Sequence, residues 1–122
     1  MHLFKYNSGM QPILSVRFYC SSTDKEPVRD WLKEKLSIDA RKAIGADIKT
    51  VQFGWPIGMP IVRKLETGLW EVRCTIPEGI ARVLFTVVKA DMVLLHGFVK
   101  KSASTPKEDL ELARTRMKEV KK

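Results

Sequence analysis

The sequence predicts an α+β protein, in which a mostly antiparallel sheet carries two N-terminal helices packed on one face and a C-terminal helix. Three observations predict this class. Leu14–Cys20 alternates like a strand and is followed by two stretches of helical periodicity. From Ile61 the chain alternates again, between turn residues, up to Lys101. The last stretch, 107–120, returns to helical spacing. The predicted order of elements is β-α-α-β-β-β-α.

Length, composition and charge limit the class of protein. A chain of 122 residues predicts one domain, 1–122, with residues 1–12 as a loose leader. The 22 Lys and Arg exceed the 14 Asp and Glu by 8, which favours nucleic acid, an acidic protein or anionic lipid as partner. No stretch approaches the roughly 20 apolar residues of a membrane span, and no signal peptide is evident. We therefore expect a cytoplasmic protein that does not enter membranes.

Two helices are expected in the N-terminal half. The first covers residues 25–36, with Pro27 in its first turn. The second runs from about Ala40 to Phe53 and is capped by Ser37 or Asp39. Its apolar stripe recurs at helical spacing, which predicts that one side is buried. The members of the stripe are Ala40, Ile44, Ile48 and Val51, with Trp55 as a candidate fifth member.

The C-terminal half is expected to form strands before its last helix. Ile61–Leu65 is strand-like, and three further strands cover 69–76, 80–88 and 92–101. Turn residues separate the last three strands, at Pro77–Gly79 and at Lys89–Asp91. Pro106 precedes the final helix, which begins at Lys107.

Alternation along these strands predicts that basic residues share one face. Matching apolar face to apolar face places Arg73 beside Arg82, which requires a four-residue loop or a bulge at the first turn. The next hairpin brings His96, Phe98 and Lys100 to the same face, with Lys101 at its margin. The helices are expected to cover the opposite face. A strand that places charge among apolar residues needs compensation, and a polyanion such as RNA would supply it.

Each of these residues also has a purely structural explanation. Arg73 would form a surface ion pair with Glu71 or Glu66, and Arg82 a buried ion pair. His96 would be a hydrogen-bonded core histidine. Phe98 would only pack, and the two lysines would be a solvated strand end. We favour a common site, in which Arg73 and Arg82 open onto one solvent-reachable hollow, because five independent explanations would otherwise have to hold together.

Such a face suits RNA cleavage without a metal. The ribose 2′-hydroxyl attacks the adjacent phosphate, so the protein orients it, neutralises charge and moves protons. Arginine donates two hydrogen bonds to a phosphate, and histidine carries protons near neutral pH. The chain lacks H-E-x-x-H, G-x-x-x-x-G-K-[ST] and G-x-S-x-G motifs. With only two His and two Cys, which we expect to be buried thiols, no metal and no cofactor are expected.

Several segments together resemble the RelE/HigB toxin superfamily, and in particular its phage-derived, HigB-like branch. The resemblance covers about 14–120. Its segments are Arg63–Leu65, Gly68–Arg73, Ala81–Phe85, Leu94–Lys101, Thr105–Pro106 and Asp109–Ala113.

The resemblance implies a RelE/ParE-like fold and the toxin of a type II toxin–antitoxin pair. It implies a metal-independent endoribonuclease that cleaves mRNA on the ribosome, and a helix-turn-helix antitoxin as partner. By position, Arg82 matches the strand arginine that contacts the scissile phosphate. Arg73 matches a basic residue on the preceding strand, and Lys100 and Lys101 match the basic pair that ends the last strand.

One position departs from the relatives that carry a catalytic Tyr or His near the C-terminus, because residues 102–122 contain neither. Either His96 or a lysine then transfers the proton, or the protein cleaves weakly or acts by binding alone. We expect Arg63 and Lys64 to widen the RNA-binding surface together with Phe98. Two alternatives stay open: a ParE-like inhibitor of DNA gyrase, and a non-catalytic phage accessory domain that binds nucleic acid or protein.

Overall fold

The computed structural model describes residues 11–100 and 104–121. Most of the predicted leader and Lys101 lie outside these residues. Five strands and three helices follow one another as β1 (Ser15–Phe18), α1 (Pro27–Glu34), α2 (Ile38–Gly54), β2 (Val62–Glu66), β3 (Leu69–Ile76), β4 (Gly79–Val88), β5 (Asp91–Lys100) and α3 (Lys107–Val120).

The five strands form one sheet in the order β1-β5-β4-β3-β2. β1 runs parallel to β5, and the other neighbours are antiparallel. The predicted α+β class is therefore confirmed. The predicted order counts one strand too few between α2 and α3, because the strand-like segment after Ile61 does join the sheet, through β3.

The two N-terminal helices form where the sequence predicts them. Pro27 begins α1, and its fixed backbone angle suits a first helical position. The Ser37 side chain accepts a hydrogen bond from the Ala40 amide and caps α2. Four residues of the predicted apolar stripe of α2, Ala40, Ile44, Ile48 and Val51, are fully buried. Trp55, the candidate fifth member, follows the last residue of the helix and is partly buried against the same core. They pack with α1 residues against one face of the sheet, which we call the α1/α2 face.

The C-terminal helix packs on the other face of the sheet. Ala113 is buried there with Leu84 and Leu95, and Met117 packs against the same cluster. We call this side the α3 face. Because Leu84 alternates with Arg82 along β4 at a spacing of two, Arg82 also lies on the α3 face. The prediction that the helices cover only the face opposite Arg82 is therefore wrong.

The predicted pairing of the central strands is confirmed. Arg73 lies opposite Arg82, and Arg82 lies opposite Phe98. The first turn differs from the prediction, because Ile76 pairs directly with Gly79 and only two residues separate the strands. Gly79 supports this tight connection at a φ of 142°, which glycine tolerates best.

The two cysteines differ in their surroundings. Cys74 is buried in the core, whereas Cys20 is exposed, so the prediction of two buried thiols is wrong for Cys20. Both thiols are free. Within 11–100 and 104–121, no helix is both long and apolar enough to cross a membrane.

Gly97 lets α1 approach the sheet closely. A Cβ built on Gly97 would lie 2.4 Å from the Trp31 ring, so alanine requires the indole or the strand to move. We predict that Gly97→Ala lowers the free energy of unfolding by about 1–3 kcal/mol, measured by urea denaturation. Gly58→Ala is the matched control, because a Cβ there would have no atom within 4 Å. Equal stability of the two variants would contradict this packing.

Candidate functional site

A buried ion pair lies at the centre of the face that the sequence predicts to bind RNA. Arg82 and Glu71 are both 0% exposed, and Arg82 Nη1 lies 3.8 Å from Glu71 Oε1. The hydroxyl of Thr105 donates a hydrogen bond to the same Glu71 oxygen at 2.7 Å. The pair therefore links β3 and β4 to the residues that precede α3.

Burial and the neighbouring charges act on the Arg82 guanidinium in different directions. Removal from water lowers the pKa of Arg82 from its ordinary value, and the nearby Glu71 carboxylate opposes that shift. The positive charges of Arg73 and Arg63 add to the lowering of this pKa. Arginine remains protonated after such a shift because its ordinary pKa is far above neutrality.

This geometry corrects the central expectation for Arg82. The sequence predicts that Arg73 and Arg82 open together onto a solvent-reachable hollow. They do share one side of the sheet, but Arg82 is enclosed against a carboxylate. The alternative explanation of a buried ion pair is confirmed. The carboxylate is that of Glu71, which the sequence-based expectation treats only as a partner of Arg73, although Glu71 lies on the same face as both arginines.

Arg73 is half-buried and lies near the edge of the sheet. Its amide donates to the carbonyl of Ile61, at the residue before β2 begins. Arg73 also borders an open groove that Asp47 of α2 and Thr75 line. Arg73 is therefore more accessible to a ligand than Arg82.

His96 is held by two neighbours on the same face. Its Nε2 lies 2.6 Å from Asp109 Oδ1, and the two side chains are 17% and 24% exposed. The ring also stacks on Phe98, with centroids 5.5 Å apart and an angle of 26° between the planes. Both rings are thus partly open to solvent while their orientations are fixed.

The remaining predicted cations divide between the two faces. Lys100 is exposed, two residues beyond Phe98 on the same side of β5. Arg63 is exposed opposite Glu71, on the α3 face. Lys64 lies opposite Trp70, whose ring belongs to the α1/α2 core. The prediction that Lys64 widens the same surface as Arg63 is wrong, because consecutive strand residues point to opposite faces.

The approach of α3 to the sheet depends on several polar contacts. Arg114 pairs with Glu66 of β2 at 2.7 Å. Arg116 donates to the Leu95 carbonyl at 2.8 Å and lies over the Tyr19 ring. The Tyr19 hydroxyl donates to Glu119. With the contacts of Thr105 and Asp109, these bonds connect α3 and its N-terminal approach to β2, β3 and β5, and to the residue that follows β1.

Sequence reasoning misses three residues of the site. Glu71 contacts Arg82 and Asp109 contacts His96, whereas Thr105 reaches the site through Glu71. Thr105 and Asp109 belong to a segment that is expected away from this face. The only signal for Glu71 is its place in the alternation with Arg73. No signal in the sequence identifies the partner of Asp109, because 13 positions and a helix boundary separate it from His96.

Fold and site together define a class: a basic α+β protein whose sheet presents a mixed face of cations, a histidine and a stacked aromatic ring. Within the described parts of the chain, no three His, Cys, Asp or Glu residues form a group that could hold a metal ion.

Residues 30–118 match the family model described as phage-derived protein Gp49-like (DUF891). Because the match covers well over half of the chain, the protein belongs to this Gp49-like family. The family is RelE-like and of the toxin type that is related to toxin–antitoxin systems. No curated protein matches the chain.

The buried pair makes a testable prediction about stability. Glu71→Ala leaves the Arg82 charge buried without its carboxylate, and we predict that the free energy of unfolding falls by about 3–5 kcal/mol. The double variant Glu71→Leu with Arg82→Met removes both charges at similar volume and should cost much less. Urea denaturation of both variants and the wild type measures the difference. A single variant as stable as the double one would contradict a desolvated pair.

Proposed function

We propose that the protein is the toxin of a type II toxin–antitoxin pair, of the HigB-like branch, and that it cleaves mRNA on the ribosome. The proposed mechanism uses the 2′-hydroxyl of the RNA as nucleophile and needs no metal. A helix-turn-helix antitoxin would be its partner. Membership of a RelE-like toxin-type family supports the general class, and the geometry of the α3 face supports the chemistry.

One observation carries the RNA proposal: the register brings Arg73, His96, Phe98 and Lys100 to one face, around the buried Arg82. Among the described residues of this face, Lys100 and Arg63 are exposed and Arg73 is half-buried, so a phosphate can reach all three cations. Phe98 offers an aromatic surface beside them, and single-stranded RNA stacks readily on such rings. The net charge of +8 favours a polyanion over other ligands.

The roles of the two arginines differ in this proposal. Arg73 contacts the scissile phosphate, together with Lys100. Arg82 holds β3 and β4 in register through Glu71. It is buried, so its guanidinium does not contact the phosphate directly. Lys101, by resemblance, would extend the cationic end of β5. Arg63 would contact a phosphate further along the RNA strand.

A second candidate is a protein that binds nucleic acid without cleaving it. The burial of Arg82 favours this candidate, because the arginine matched to the phosphate contact of the family is withdrawn from the surface. The two candidates differ in their products. Expression in bacteria should arrest growth with mRNA cut inside codons in the first case, and with intact mRNA in the second. DNA-damage signalling with intact mRNA would instead indicate a gyrase inhibitor.

The accessible cations should dominate RNA binding. We predict that Lys100→Ala weakens binding to single-stranded RNA and lowers the slope of log K against log salt by about 0.7, the value for one lost phosphate contact. Fluorescence anisotropy at several salt concentrations measures both quantities. Lys33→Ala is the matched control, since this exposed lysine lies on α1, at the opposite face. An equal effect of both variants would indicate only general attraction.

Arg73 and Arg82 can be separated by activity. We predict that Arg73→Ala reduces mRNA cleavage by about 100-fold or more, because a phosphate contact at the reaction centre is lost. The charge-free double variant Glu71→Leu with Arg82→Met should fold and retain a larger share of the activity. If the double variant is inactive and Arg73→Ala is not, Arg82 rather than Arg73 contacts the phosphate.

A further inference from the structure

The contact between His96 and Asp109 defines the chemistry of the histidine ring. Its Nε2 lies 2.6 Å from Asp109 Oδ1. An ionised carboxylate can only accept hydrogen bonds, so Nε2 is the nitrogen that carries the proton. In the neutral ring, Nδ1 is then the nitrogen that can take up a proton.

Two contacts of different kinds fix the orientation of that ring. Asp109 holds one edge, while Phe98 stacks on the ring plane with centroids 5.5 Å apart. A ring flip would break the hydrogen bond. The Nδ1 atom therefore keeps one direction, as a proton acceptor must if its geometry is to be productive.

The histidine lies in line with the accessible cation of the same strand. His96, Phe98 and Lys100 occupy every second position of β5, so each step along the face is roughly 6.6 Å. An RNA strand bound at Lys100 and stacked on Phe98 would continue toward His96. The two side chains thus bracket the space in which a ribose and its phosphate would lie.

We propose that Asp109 is a positioning residue, which holds His96 in the tautomer that acts as general base on the RNA 2′-hydroxyl. This inference rests on the proposed function. Nδ1 of His96 takes the proton of the 2′-hydroxyl, and the 2′-oxygen forms a bond to phosphorus as the bond from phosphorus to the 5′-oxygen breaks. The 5′-oxygen takes a proton from water, and His96 later releases its proton to water. The products are a 2′,3′-cyclic phosphate and a 5′-hydroxyl.

A purely structural role for Asp109 is the competing explanation, because the residue also attaches α3 to β5. Two other contacts hold the helix against the sheet as well, namely the pair of Arg114 with Glu66 and the bond from Arg116 to the Leu95 carbonyl. Asp109→Asn removes the charge while leaving an amide oxygen of the same size. The helix should stay docked in this variant, so a loss of activity would report on the histidine rather than on the fold.

The experiment compares Asp109→Asn, His96→Gln, their double variant and Glu108→Gln with the wild type. Glu108→Gln makes the same charge change one residue away, at an exposed position. Cleavage is measured with mRNA bound to bacterial ribosomes, and nitrogen NMR of the histidine ring identifies the protonated nitrogen. Thermal unfolding and RNA affinity are measured for every variant.

We expect Asp109→Asn and His96→Gln each to lower the cleavage rate by about 10²–10⁴-fold, with unfolding temperature and RNA affinity close to the wild type. The double variant should lose little more, because the two residues act as a unit. In the wild type the proton should reside on Nε2, and Asp109→Asn should shift part of the population to Nδ1. Glu108→Gln should match the wild type.

Three results would overturn the proposal. A wild-type ring protonated at Nδ1 would contradict the geometry, whatever the activity. A cleavage rate for Asp109→Asn within about threefold of the wild type, far from the loss expected for a general base, would remove the role of Asp109 and leave RNA cleavage intact. A wild type that cuts no mRNA would remove the proposed function and this inference together.

Discussion

The buried pair of Arg82 and Glu71 constrains everything around it. Two opposite charges that are fully removed from water are tolerated only when they stay close and find further hydrogen bonds. The contact between the two side chains holds β3 in register with β4. The hydrogen bond from the Thr105 hydroxyl to Glu71 holds the segment that leads into α3. A shift of either strand by one residue would move its charge to the opposite, apolar face. The pairing of the central strands and the place of α3 are therefore coupled.

The same pair determines where positive charge reaches the surface. Because Glu71 compensates Arg82 internally, the described cations within reach of a ligand lie around this pair. They are Arg73 and Arg63 toward the edge of the sheet and Lys100 at the end of β5. The α3 face therefore has a buried ion pair at its centre and accessible cations around it.

The sequence predicts the features that depend on local periodicity. Three features follow from local patterns with periods of 3.6 and 2 residues, which depend only on residues close together in the sequence. They are the buried stripe of α2, the cap at Ser37 and the pairing of Arg73 with Arg82. The face on which α3 packs does not follow, because the helix carries apolar residues that suit either side of the sheet. The contacts of Thr105 and Asp109 depend on that choice, so local periodicity does not predict them either. The wrong prediction for Lys64 has a simpler reason: Lys64 follows Arg63 in β2, and consecutive strand residues point to opposite faces.

The contacts that hold α3 against the sheet are relevant to the role of this helix. Ala113 is its only fully buried residue among those described, while Leu110, Met117 and Val120 pack on the sheet and are only partly buried, so the apolar contact of this helix is modest. Directional polar bonds add to this packing and connect the helix to Tyr19, which follows β1, to β2 and to β5. Hydrogen bonds weaken steeply when their distance or angle changes, so several of them together resist small shifts of the helix. These contacts keep the Asp109 carboxylate within hydrogen-bond distance of the His96 ring. A histidine that accepts a proton in a defined direction requires such positioning.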